Sequence, residues 1–241
     1  AIRRQRQMCI RDRVITMSIS SALGAVIMPR TSNLIAEERM DEFKALVQKS
    51  YDFIFALAMP LMVGLIFTSP SAVLLLSGEG FVPAILTSQI VAFNILTVGL
   101  SGVMGIQVLY PLGKINIVIL CTSIGAIINV FLNVLLIPRY GHNGTAVAYM
   151  LAEMTVTVSM FFIGKRYIPI RFLKRQHLNY VLGSVVMGVC LYFISWLGLG
   201  NTATLVMMIS MGGIVYVVIL LFLRDSIGMI PWKILREKFG K

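Results

Sequence analysis

Few residues in this chain carry groups that can do chemistry, and the most telling of them sit where lipid should reject them. Asn129, Asn133 and Glu153 interrupt two long apolar runs, Ile115–Ile137 and Thr145–Ile163. A carboxyl and two amides can pass a proton, hold a coupling ion or hydrogen-bond a sugar hydroxyl. Insertion scales put an Asp, Lys or Arg at the bilayer centre at about 2.5–3.5 kcal/mol, so a charged group there needs a reason. The runs flank a short polar stretch, Pro138-Arg139-Tyr140-Gly141-His142-Asn143-Gly144. Asn129 lies eight residues before Ile137, and Glu153 eight residues after Thr145. In an antiparallel hairpin they share a depth, about 12 Å from the loop end at 1.5 Å per residue. Gly125, Asn129 and Asn133 share one helical face, and Ala146, Tyr149, Glu153 and Thr157 are the stripe expected to meet it. The same residues serve equally well as a polar clasp pinning two helices together.

A second polar line lies on the run Ala84–Tyr110, where Asn94, Thr97, Ser101 and Gly105 share a face. Such a face lines a water-filled cavity or packs dry against a neighbour. Asp52 stands at the mouth of the run Tyr51–Ser69, as a first-turn acid or a substrate or ion contact. Arg30 and Lys114, at the ends of apolar runs, are the cations nearest the helices. His142 and His177 are far apart with no Cys or carboxylate cluster beside them, so no metal site is expected. No set of residues reads as catalytic.

The elements that position these groups are membrane helices. The chain is 58% hydrophobic and 13% charged, against about 25% charged in soluble domains. Seven apolar runs stand out: 14–28, 51–69, 84–110, 115–137, 145–163, 179–199 and 202–223. Each approaches the roughly 20 residues that cross a bilayer, the first being short. The expected fold is all-α, a polytopic bundle of about seven spans over residues 14–223. Pro60 should kink its helix. Residues 29–50 should form a connector whose second helix lies on the membrane surface, and 70–83 a turn region. The tail 224–241 should be a cytoplasmic amphipathic helix. Residues 1–13 are basic without an apolar core; their Arg3–Arg13 stretch resembles a translated adapter sequence foreign to the protein, the alternative being a true basic arm.

Charge sets the orientation. Alternating connectors place 15 Lys and Arg on one side, the C-terminal tail included, and only Arg139 on the other. The rich side is cytoplasmic. The five arginines of residues 1–13 would break this pattern, which agrees with their being foreign. The net charge of +11 therefore marks loop placement rather than nucleic-acid binding. The outer connectors offer only Glu79, Arg139 and His142, too little for an enzyme. No glycine-rich filter or charge ring suggests a channel. Kinked helices with sparse polar groups near mid-membrane fit a carrier.

Two stretches carry a family likeness. Pro29-Arg30-Thr31-Ser32-Asn33-Leu34-Ile35-Ala36, followed by an acidic helix, resembles the cytoplasmic loop after the eighth helix of bacterial oligosaccharide flippases. These belong to the polysaccharide-export branch of the MATE-like MOP exporter superfamily. The hairpin is similar to theirs in Asn129, Asn133, Ile137-Pro138, Tyr140-Gly141, Gly144-Thr145-Ala146 and Ala152-Glu153. The resemblance covers roughly residues 14–241. It implies the C-terminal half of a fourteen-helix protein, with the N-terminal half as partner. It also implies translocation of undecaprenyl-diphosphate-linked oligosaccharide across the bacterial inner membrane by alternating access, for surface polysaccharide such as O-antigen. Coupling would be to protons or sodium, with no bound cofactor. Partners would be the lipid-linked sugar and membrane lipid, and the path candidates Glu153, Asn129, Asn133, Asn94, Thr97, Ser101, Arg30 and Asp52. A drug or cation antiporter of the same superfamily, or a polytopic cell-envelope enzyme, is the alternative.

Overall fold

In the computed structural model, residues 27–168 and 174–223 are described, and they are helical apart from turns, with no strand among them. The basic stretch 1–13, most of the first apolar run with its Ser18, Ser21 and Gly24, and the 224–241 tail lie outside the described residues.

Helix α1 covers 27–36. Thr31 and Ser32 both donate to the Met28 carbonyl, at 2.8 and 3.0 Å. It ends at Glu38, which takes the left-handed conformation (φ 58°). Arg39 then grips Glu37 at 2.8 Å and Glu42 at 2.7 Å. These hydrogen bonds, Glu37's foremost, push the arginine's already high pKa up further.

Helix α2 runs unbroken from Met40 to Ser77, about 57 Å at 1.5 Å per residue. This corrects the expected division into surface connector, span and turn. No helix breaker separates 40–50 from the span, and Phe43 and Val47 are fully buried rather than laid on a membrane surface. Pro70 does not end the helix either. Thr68 donates to the Gly64 carbonyl at 2.8 Å and Ser69 to that of Leu65, and such local bonds help membrane helices absorb a proline. The break comes at Gly78, whose φ of 80° suits glycine.

After a 3-10 turn, Glu79–Phe81, the expected single span 84–110 is three pieces: α3 (Ala84–Ala92), α4 (Asn94–Gly102) and a π-helix (Val103–Leu109). Helix α5 (Ile115–Gly164) comprises two arms, of about 39 Å before Gly141 and about 35 Å after it, each long enough for a ~30 Å bilayer core. It folds back at Gly141, whose φ 55° and ψ −129° lie where only glycine is comfortable. The seven-residue loop expected here shrinks to that one residue, with helix on both sides. Helices α6 (Arg175–Ser195) and α7 (Asn201–Phe222) close the described chain. Among the described residues, five helical stretches are long and apolar enough to cross a membrane, and α5, which doubles back at Gly141, has the length for two crossings.

The chain forms two units. The first holds the described residues up to Ile54 and from Phe93 to 168. In it Tyr51 meets Phe161 edge-on at 5.7 Å. Its helices approach closely through glycines: a Cβ on Gly99 would come within 2.9 Å of Ile54, and one on Gly164 within 2.3 Å of Met104. The second unit holds Phe55–Ala92 and 174–223. There α6 and α7 are antiparallel, Gly183 lying against Tyr216 and Gly212 against Leu191. With Ala56, Tyr180, Met187, Met208 and Leu220 they form a buried apolar core.

Candidate functional site

Asn94, Thr97, Ser101, Asn129, Asn133 and Glu153 all lie in the first unit, on α4 and the two arms of α5. Helix α4 and the second arm (142–164) run in parallel. Thr97 pairs with Thr157, a Cβ on Gly105 would sit 3.7 Å from Met160, and Gly164 faces Met104. The Thr157 hydroxyl lies 2.9 Å from the Thr97 carbonyl and 2.8 Å from the Glu153 carbonyl. One turn back from this pair stand Asn94 on α4 and Glu153 on α5, brought to the same height by the register. Glu153 is half-buried.

Asn94 is 1% exposed, and neither its amide nitrogen nor its oxygen has a hydrogen-bond partner. An unsatisfied buried polar group costs about 1–3 kcal/mol, so Asn94 sits in this position at a cost to stability. Thr97 and Ser101, on the same face, direct their hydroxyls to carbonyls of their own helix, Asn94 at 3.4 Å and Val98 at 3.1 Å.

The two arms of α5 are antiparallel. A Cβ on Gly125 would come within 2.2 Å of Val156 and 3.4 Å of the Ala152 carbonyl, and one on Gly144 within 2.6 Å of the Leu136 carbonyl. This register keeps Asn129 and Glu153 within about a turn of each other in height. The facing stripe differs from expectation. The glycine–asparagine face meets Ala152 and Val156, while Thr157 turns toward α4 and carries Glu153's stripe with it. The reason is angular: residues 152 and 153 point about 100° apart on a helix. Asn133 donates to both the carbonyl and the side-chain oxygen of Asn129, at 2.8 and 3.0 Å. The Asn133 amide oxygen is buried with no partner.

The remaining candidates lie elsewhere. Asp52 accepts from Gln48 at 2.8 Å and sits twelve residues into α2, so it is not a first-turn acid; Asp41 and Glu42 are. Arg30 is exposed on α1. Lys114 is exposed and lies 5.6 Å from the Tyr167 ring centre.

Gln107 is a polar group that spacing alone did not pick out. It is 2% exposed, with its amide oxygen unpartnered. It sits in the π-helix, where the wider turn breaks the α-helical spacing that aligned Asn94, Thr97 and Ser101. An amide inside an apolar run was the available signal. Among the described residues no cluster of His, Cys, Asp and Glu could hold a metal ion.

A multi-pass helical bundle with unpartnered amide groups and a half-buried carboxyl among long apolar helices is the architecture of a membrane protein. The family model for the lipid II flippase MurJ matches residues 14–224, and the chain belongs to that family. A protein of Haloferax volcanii described as a probable low-salt glycan biosynthesis flippase is 26% identical over 208 residues, covering 86% of this chain and 44% of its own length. An uncharacterized membrane protein of Methanocaldococcus jannaschii is 21% identical over 173 residues, 72% of this chain and 34% of its own. The solved structure of lipid II flippase MurJ in an inward closed conformation superposes with a TM-score of 0.75 at 17% identity, covering 90% of this chain and 46% of that one. That likeness carries the fold. The chain thus spans less than half the length of these relatives. The expected flippase kinship and all-α membrane fold hold, and the family is one of transporters rather than enzymes.

Proposed function

We propose that this chain is the C-terminal bundle of a flippase for polyprenyl-diphosphate-linked oligosaccharide, undecaprenyl in a bacterial inner membrane. The family match over residues 14–224 carries this reading. The glycan-biosynthesis flippase of Haloferax volcanii favours an oligosaccharide cargo. A diphosphate-linked sugar cannot cross hydrocarbon without polar groups to replace its water. The transport path runs past Asn94, Thr97, Ser101 and Glu153, with Asn129 and Asn133 on the adjoining face. Arg30 and Asp52 serve the approaches. Glu153 exchanges a proton or meets a sodium ion during the cycle. The loop at Gly141 faces outward and the C-terminus lies in the cytoplasm. Residues 1–13 are foreign to the transporter, in line with a family match that starts at residue 14.

The test is transport by the full-length protein in proteoliposomes. Fluorescent lipid-linked oligosaccharide and lipid II are offered in parallel, under imposed proton and sodium gradients. Glu153→Gln is predicted to fold and to lose gradient-driven transport. Unchanged transport by this variant removes the coupling role. Export of organic cations with no movement of either lipid-linked substrate replaces the flippase reading with that of a drug antiporter.

A further inference from the structure

Helix α2 contains two prolines, Pro60 and Pro70, without being broken by either. Proline has no N–H, so each deprives the carbonyl four residues earlier of its helical donor. The two carbonyls are those of Ala56 and Ile66. Both are taken up by side chains from other helices of the same unit. The Tyr216 hydroxyl, on α7, donates to the Ala56 carbonyl at 2.6 Å, and the Gln89 amide, on α3, donates to the Ile66 carbonyl at 3.1 Å. The Tyr216 bond is buried, and its ring rests on Gly183, where a Cβ would come within 3.2 Å.

We infer that Tyr216 is a latch on a proline hinge. With its hydroxyl on the Ala56 carbonyl, α2 holds its present course through Pro60. If α7 slips by about 1 Å the bond is lost, and a carbonyl with no donor in an apolar setting drives the helix to bend until water or another group reaches it. The bend of α2 is thereby coupled to the position of α7. Gln89 plays a different part. Its long side chain is half-buried and follows α2 as it moves. The inference concerns a conformational device and stands whatever the cargo.

A double-mutant cycle tests it on the full-length protein in lipid nanodiscs, with its native cysteines, Cys121 and Cys190 among them, replaced by alanine. Nitroxides at Phe53→Cys and Leu75→Cys, both partly exposed on α2, lie about 33 Å apart along a straight helix. Pulsed EPR reads their distance distribution. Tyr216→Phe is expected to raise the shorter-distance, bent population by roughly two- to tenfold, the range of one hydrogen bond's net effect. Pro60→Ala restores a backbone donor to Ala56, so in that background Tyr216→Phe should change nothing. An unchanged distribution on Tyr216→Phe, or an equal change in both backgrounds, overturns the latch. Should Tyr216→Phe fail to fold, Gly183→Ala displaces the ring and takes its place, with the same two readings.

Discussion

The Thr157 hydroxyl stands 2.9 Å from the Thr97 carbonyl and 2.8 Å from the Glu153 carbonyl, so one proton is shared between two helices. It fixes the second arm of α5 against α4, one turn from Asn94 on α4 and from Glu153 on α5. Replacing Thr157 with valine keeps the shape and removes the donor. The expected loss is about 0.6–1.5 kcal/mol, the range for interhelical hydrogen bonds in membranes and proteins generally. Thr157→Ser should recover most of it. Equal resistance of the valine and wild-type proteins to SDS unfolding would show that the contact contributes nothing.

Asn94 makes the opposite prediction. Leucine is close in size and needs no partner. Asn94→Leu should therefore raise stability by about 1–3 kcal/mol, the cost of a buried unsatisfied polar group, while abolishing transport. A variant both less stable and fully active would mean that the amide is a structural requirement instead.

The glycines divide sharply by what surrounds them. A methyl on Gly125 would enter Val156 at 2.2 Å, and overpacking of this kind costs about 1–3 kcal/mol. Gly64 has open space around its Cβ position, and alanine there should be neutral or stabilise by about 0.5–1 kcal/mol through helix propensity. Val156→Ala should rescue Gly125→Ala but leave Gly64→Ala untouched. Thermal unfolding in detergent reads all four.

Glu38 pays for a left-handed backbone between α1 and α2. Glu38→Gly is expected to stabilise the connection by about 1 kcal/mol, the lower end of the left-handed penalty for L-residues. Hydrogen exchange at the start of α2 should slow in that variant. Faster exchange would mean that the glutamate side chain contributes more than its backbone costs.

Apolar run length and turn residues made most of the membrane architecture readable in advance. The hairpin and the α6–α7 pair follow from them. The single helix Met40–Ser77 did not, because prolines count as breakers in sequence while their orphaned carbonyls are served here by Tyr216 and Gln89, far away along the chain. At the site, the shared depth of Asn129 and Glu153 could be counted along two helices. Their bearing could not: it depends on how the arms rotate about their axes, which Gly125 decides by admitting Val156. Gln107 stayed hidden because a π-turn changes the period on which the spacing argument rests.

The one-residue reversal at Gly141 bears on biogenesis. With helix on both sides of that glycine, the polar tip between the arms of α5 amounts to little more than Arg139, His142 and Asn143. A tip this small gives the insertion machinery no loop to handle by itself. The two arms are expected to enter the bilayer together as a hairpin, the Asn129–Asn133 bond being local to the first arm and so able to form before the arms meet. A substitution that stiffens Gly141 would then show itself first as a failure of insertion, before any effect on transport could be measured.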